Sequence, residues 1–137
     1  MRVVFFQVRF AKEKIERLVE IVTAHFEKGE NIILFVEDEK AQNFVDELLW
    51  KIPPSNFLPH IASDTPTEEK IAITRTKTNV NLAKYAFNLC STPLLLDPPF
   101  KIVYEYEDLT SPSKHEISAM RFDAYKKASF MIEARSI

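Results

Sequence analysis

Apolar positions divide the chain into strand-like and helix-like stretches. Val3 to Phe10 is a short run of β-branched and aromatic residues and predicts a first strand. In the following KEKIERLVEIVTAHFEKG, Ile15, Leu18, Val19, Val22 and Phe26 recur at helical spacing, which predicts an amphipathic helix. It ends at Gly29, the single glycine of the chain, standing where a helix end favours a residue in the left-handed region. Asn31 to Val36 (NIILFV) is continuously apolar, as expected of a strand covered on both faces in a parallel sheet. EDEKAQNFVDELLWKI predicts a second helix with Asp38 as N-cap and Ala41, Phe44, Val45, Leu48 and Leu49 facing inward. It stops before Pro53 and Pro54.

Residues 53–69 carry four of the eight prolines and read as a long connection, interrupted by apolar Phe57, Leu58 and Ile61. Ile71 to Thr74, Tyr85 to Cys90 and Ile102 to Glu107 (IVYEYE) predict three short strands, separated by Pro93, Pro98 and Pro99. Ser113 to Ile132 predicts a last helix, with Ile117, Met120, Phe122, Tyr125 and Phe130 among its apolar positions and Ser113 with Glu116 as a capping box. Strands alternating with helices predict an α/β fold with a mostly parallel sheet flanked by helices. At 137 residues the whole chain, 1–137, fits one domain, without internal repeats.

Charge narrows the function classes. A net charge of −2 gives no overall basic field for holding nucleic acid through its phosphates. Lys114, Arg121, Lys126, Lys127 and Arg135 gather in the last quarter, a pattern that ordinarily marks a solvated helix face. Cys90 is the single cysteine, which excludes an internal disulfide and suits a reducing compartment, so a cytoplasmic location is expected. The N-terminal apolar run is broken at Gln7 and Arg9 and lacks a cleavage pattern, and no segment has the roughly 20 apolar residues of a membrane helix.

Glycine is equally informative about chemistry. Phosphate loops need several glycines for close backbone approach, and Gly29 supplies neither GxGxxG nor GxxxxGK[ST]. The acidic trio Glu37, Asp38 and Glu39 could hold magnesium in a small metal-dependent hydrolase, but an N-cap with helix-dipole complement accounts for the same residues. His25, His60 and His115 lack ligand spacing, and Cys90 sits in an apolar strand without an activating cation nearby. No catalytic motif and no cofactor site are expected. Trp50, Phe57 and Phe100 lie at helix ends or in loops, the setting of aromatic interface anchors; for Trp50, core and interface are equally open on spacing alone.

Two segments carry a resemblance. EDEKAQNFVDELLWKIPPSNFLPH, from Glu37 to His60, and RFDAYKKASF, from Arg121 to Phe130, are similar to motifs of the chi-subunit family of bacterial DNA polymerase III, a clamp-loader accessory protein. That resemblance implies a nucleotide-binding-like α/β fold without the phosphate loop, and no enzymatic activity. It implies an adaptor that links the psi subunit to the C-terminal tail of single-stranded-DNA-binding protein, or alternatively partners a DinG-type helicase. The psi or helicase surface would use Trp50 and Phe57, with Pro59 and His60 shaping the loop. Tail binding would fall around the last helix, on Lys114, His115, Arg121, Phe122, Tyr125 and Lys126. The family's two basic tail-contacting positions fall on His115 and Ala119, so its charge would move to Lys114, Arg121 and Lys126. A monomer that forms heterodimers with its partner is expected.

Overall fold

A computed structural model describes residues 1–51 and 58–136. In chain order the elements are β1 (Arg2–Val8), α1 (Ala11–Glu27), β2 (Ile32–Phe35), α2 (Glu39–Lys51), β3 (Ile61–Ala62), β4 (Ile71–Thr74), β5 (Tyr85–Asn88), β6 (Ile102–Asp108), α3 (Pro112–Lys127) and β7 (Met131–Arg135). The seven strands among the described residues form one sheet in the order β3-β4-β2-β5-β6-β1-β7, and every pair is parallel.

Parallel neighbours require crossovers, and these distribute the helices over both faces. On one face Leu18 and Val22 of α1 and Val45, Leu48 and Leu49 of α2 pack on Phe6, Leu34, Ile73 and Phe87. On the other, Tyr125 of α3 packs with Val3, Phe5, Ile33, Phe35 and Val103. Strands buried on both sides explain the unbroken apolar runs of β1 and β2.

The C-terminal end of α1 follows the sequence reading, while its start is held by a side chain that the reading did not single out. The Glu13 carboxylate accepts from the backbone N–H groups of Arg9 and Phe10, and at the other end Gly29 adopts φ +72° while Glu30 N–H donates to His25 O at 3.0 Å. Asp38 caps α2 through Ala41 N–H at 2.9 Å.

Four readings are corrected. Phe44 does not face inward but is 58 % exposed. Ser111, not Ser113, caps α3, accepting from Lys114 N–H with Pro112 in the first turn. The last helix does not run to Ile132 but ends at Lys127, because Ser129 takes φ +66° and Phe130 N–H donates to Tyr125 O at 3.1 Å, the same closure that Gly29 makes on α1. The chain then returns as β7 beside β1, and within the long connection Ile61–Ala62 adds a further edge strand against β4. No helix among the described residues is long and apolar enough to cross a membrane.

Candidate functional site

Trp50 sits on the last turn of α2, 53 % exposed, with its ring 4.5 Å from the buried imidazole of His60. The chain folds this way because His60 is held on two sides. Its Nδ1 lies 2.7 Å from Leu58 O, and its Nε2 lies 3.0 Å from the Asp46 carboxylate one turn below Trp50. A side chain that hydrogen-bonds α2 thus becomes the platform for the indole, while Leu58 is buried beside it and Pro59 is half-buried. A large aromatic face left in water on a rigid base suits a protein partner. Phe57, the other expected anchor, lies outside the described residues.

The positions expected to receive an acidic tail separate into two groups. Lys114, His115 and Lys126 are exposed on α3 and Phe122 is half-buried against Phe5, with ring centroids 5.5 Å apart. A dimple of about 200 Å³ opens between Phe5, His115, Ala119 and Phe122, but its polar rim also includes Glu107 and Asp123. Arg121 and Tyr125, in contrast, are core residues and present no side chain to a ligand on this face.

What removes them is Glu105, fully buried on β6. Its Oε1 accepts from Arg121 Nε at 2.9 Å, and its Oε2 accepts from Tyr125 Oη at 2.6 Å and Asn88 Nδ2 at 2.7 Å. Arg121 also donates to Tyr106 O at 3.1 Å, and Tyr125 Oη accepts from Leu94 N–H at 2.8 Å. Burial raises the Glu105 carboxyl to about 7, against the lowering effect of the Arg121 charge and these bonds. The network fastens α3 to β5 and β6, a structural task.

A larger crevice, about 670 Å³, lies at the C-terminal ends of the strands, where β2 feeds α2 on one face and β6 feeds α3 on the other. Ile15, Phe44, Leu48, Leu89 and Ile117 form its walls, and Lys14, Lys40 and Lys114 stand on its margin. Sequence reasoning missed it, because turning Phe44 inward closed the gap that the exposed ring helps to build.

The acidic trio does not converge as a hydrolase would require. Glu37 accepts from Ser91 Oγ at 2.7 Å, the bond that chiefly holds its carboxyl below the usual range, and Asp38 caps α2. Among the described residues no group of three or more His, Cys, Asp or Glu is placed to hold a metal ion. Cys90 is buried, and burial pushes its thiol up to about 11. Neither residue set prepares a nucleophile or a metal-bound water.

Comparison with known proteins gives one family: residues 1–133 match the model for the DNA polymerase III chi subunit, HolC. No curated protein matches the chain.

Proposed function

From the premise that the chain belongs to the DNA polymerase III chi subunit family, a family of non-catalytic accessory subunits of the replicative holoenzyme, we propose that it is a replication adaptor with two partner surfaces. One surface is the Trp50 face, with Phe57, Pro59 and His60, for a psi-like clamp-loader subunit. The other is α3, with Lys114, His115, Phe122 and Lys126, for the acidic C-terminal tail of single-stranded-DNA-binding protein. The protein acts in the cytoplasm, as a monomer alone and a heterodimer with its partner.

The observation that carries this reading is the half-exposed indole of Trp50 resting at a tilt against a buried, doubly held His60. An exposed tryptophan on a fixed base loses little side-chain freedom on binding, which favours its use as an anchor. A DinG-type helicase offers an alternative occupant for the same face, since the chemistry of the anchor is indifferent to which partner supplies the pocket.

For the tail, the exposed positive side chains of α3 supply long-range attraction, and terminal carboxylates are commonly met by Lys or Arg. A fluorescence-anisotropy titration with the last ten or so residues of the cognate single-stranded-DNA-binding protein tests it. Saturable binding near the micromolar range, about −8 kcal/mol, weakened by Lys126→Glu, supports the reading. Absence of binding at low salt overturns this half of it. Size-exclusion chromatography with the clamp-loader subunits tests the other half, with loss of co-elution in Trp50→Ala as the expected result.

A further inference from the structure

Helix α3 has two flanks of different chemistry. Lys114, Ile117 and Arg121 line the strand-end crevice, whereas His115, Ala119, Phe122 and Asp123, also at helical spacing, line the dimple of about 200 Å³ with Phe5 of β1 and Glu107 of β6. The dimple has an aromatic floor: Phe5 is buried, and the half-buried Phe122 ring is tilted against it at 5.5 Å.

Two carboxylates, Glu107 and Asp123, stand on its rim, and no Lys or Arg lines it. Glu107 is fixed in place: its Oε1 accepts from Gln7 Nε2 at 2.8 Å, while its Oε2 makes no hydrogen bond among the described residues. Neither carboxylate is in an ion pair among the described residues, although Lys126 and Lys127 stand one turn on from Asp123 along α3. Aromatic rings beneath fixed negative charge suit a cation with an apolar stem, which lays its methylenes on the rings and turns its head to the carboxylates.

Other occupants fit this chemistry less well. Among the described residues no group of His, Cys, Asp or Glu is placed to hold a metal ion, and Glu107, His115 and Asp123 form none. A volume of about 200 Å³ falls short of the roughly 300–1,000 Å³ of pockets that bury a small metabolite. Phosphates and acidic peptides meet like charge at the rim. A single cationic side chain matches both the size and the charge.

We propose that this dimple receives one Arg or Lys side chain from a basic segment of a partner protein, with its stem on Phe122 and its charge against Glu107 and Asp123. The site shares His115 and Phe122 with the surface proposed for the acidic tail, but it does not rest on that reading, since the two ligands carry opposite charge.

Heteronuclear NMR of the full chain, titrated with a synthetic peptide of two Arg flanking a Leu and capped at both ends, tests the proposal. The expected result is saturable shifts centred on the backbone amides of Ala119, Phe122 and Asp123, with none at Trp50. A control peptide with citrulline, the uncharged isostere, in place of Arg should bind roughly fivefold or more weakly. The Glu107→Gln, Asp123→Asn double variant should weaken the Arg peptide by a similar factor, and its spectrum reports whether it folds. Lys126→Glu, which weakens the acidic tail in the reading above, should leave the Arg peptide bound as tightly or more so, so the two readings fail separately. No saturable shift with the wild type, equal binding of the citrulline peptide, or undiminished binding to the double variant overturns the proposal.

Discussion

Arg121 and Glu105 form an ion pair of 2.9 Å beneath α3, with the carboxylate fully buried and the guanidinium nearly so. Removing one partner strands the other charge away from water, which typically costs about 3–5 kcal/mol. Arg121→Ala should therefore lower stability by that order in urea unfolding, far more than Lys114→Ala on the exposed side of the same helix. Equal effects would place Arg121 at the surface.

The same pair predicts a pH dependence. Burial raises the Glu105 carboxyl from 4.5 to about 7, so the folded chain binds this proton more tightly than the unfolded chain. Its contribution is then fully present below about pH 4.5 and is lost as pH rises through 7. The stability of wild type relative to Glu105→Gln should fall across that window by roughly a few kcal/mol at most. A difference that stays flat or rises with pH contradicts the assignment.

Gly29 and Ser129 close α1 and α3 with the same backbone turn, at φ +72° and +66°. A Cβ at Gly29 would meet nothing within 4 Å, so Gly29→Ala carries only the conformational cost, about 1 kcal/mol. Ser129→Gly should recover about 0.5–1 kcal/mol by relieving the same strain. Thermal or chemical unfolding reads both; a neutral Gly29→Ala would refute the argument.

This pair also explains what the sequence made legible. Glycine marked the end of α1, whereas serine at position 129 gave no such signal, so the helix pattern ran on into β7. Burial of Glu105 was equally hidden: in IVYEYE, Glu105 and Glu107 look alike, and only packing under α3 tells them apart. Arg121 and Tyr125 consequently read as surface chemistry when they are the partners of that carboxylate. Phe44 misled in the opposite direction, since an apolar residue at helical spacing is ordinarily turned inward. The alternation of strands and helices, the Asp38 cap and the missing phosphate loop were readable because each rests on local residue chemistry.

Cys90 should be inert in the folded protein. Burial pushes its thiol up from 9.0 to about 11, so at pH 8 its thiolate fraction is about 100-fold below that of an ordinary cysteine. Labelling with an aromatic disulfide reagent should be at least that much slower in buffer than in urea. Equal rates would show an open thiol.

The adaptor account is tested most directly by bridging. Single-stranded DNA coated with the cognate single-stranded-DNA-binding protein is immobilised on a surface-plasmon-resonance chip, and reconstituted clamp-loader subunits are passed over it with and without this chain. The account predicts that the chain increases retention of the clamp loader, and that Trp50→Ala abolishes the increase while the variant itself still binds the coated DNA. Retention that is the same with and without the chain would contradict it.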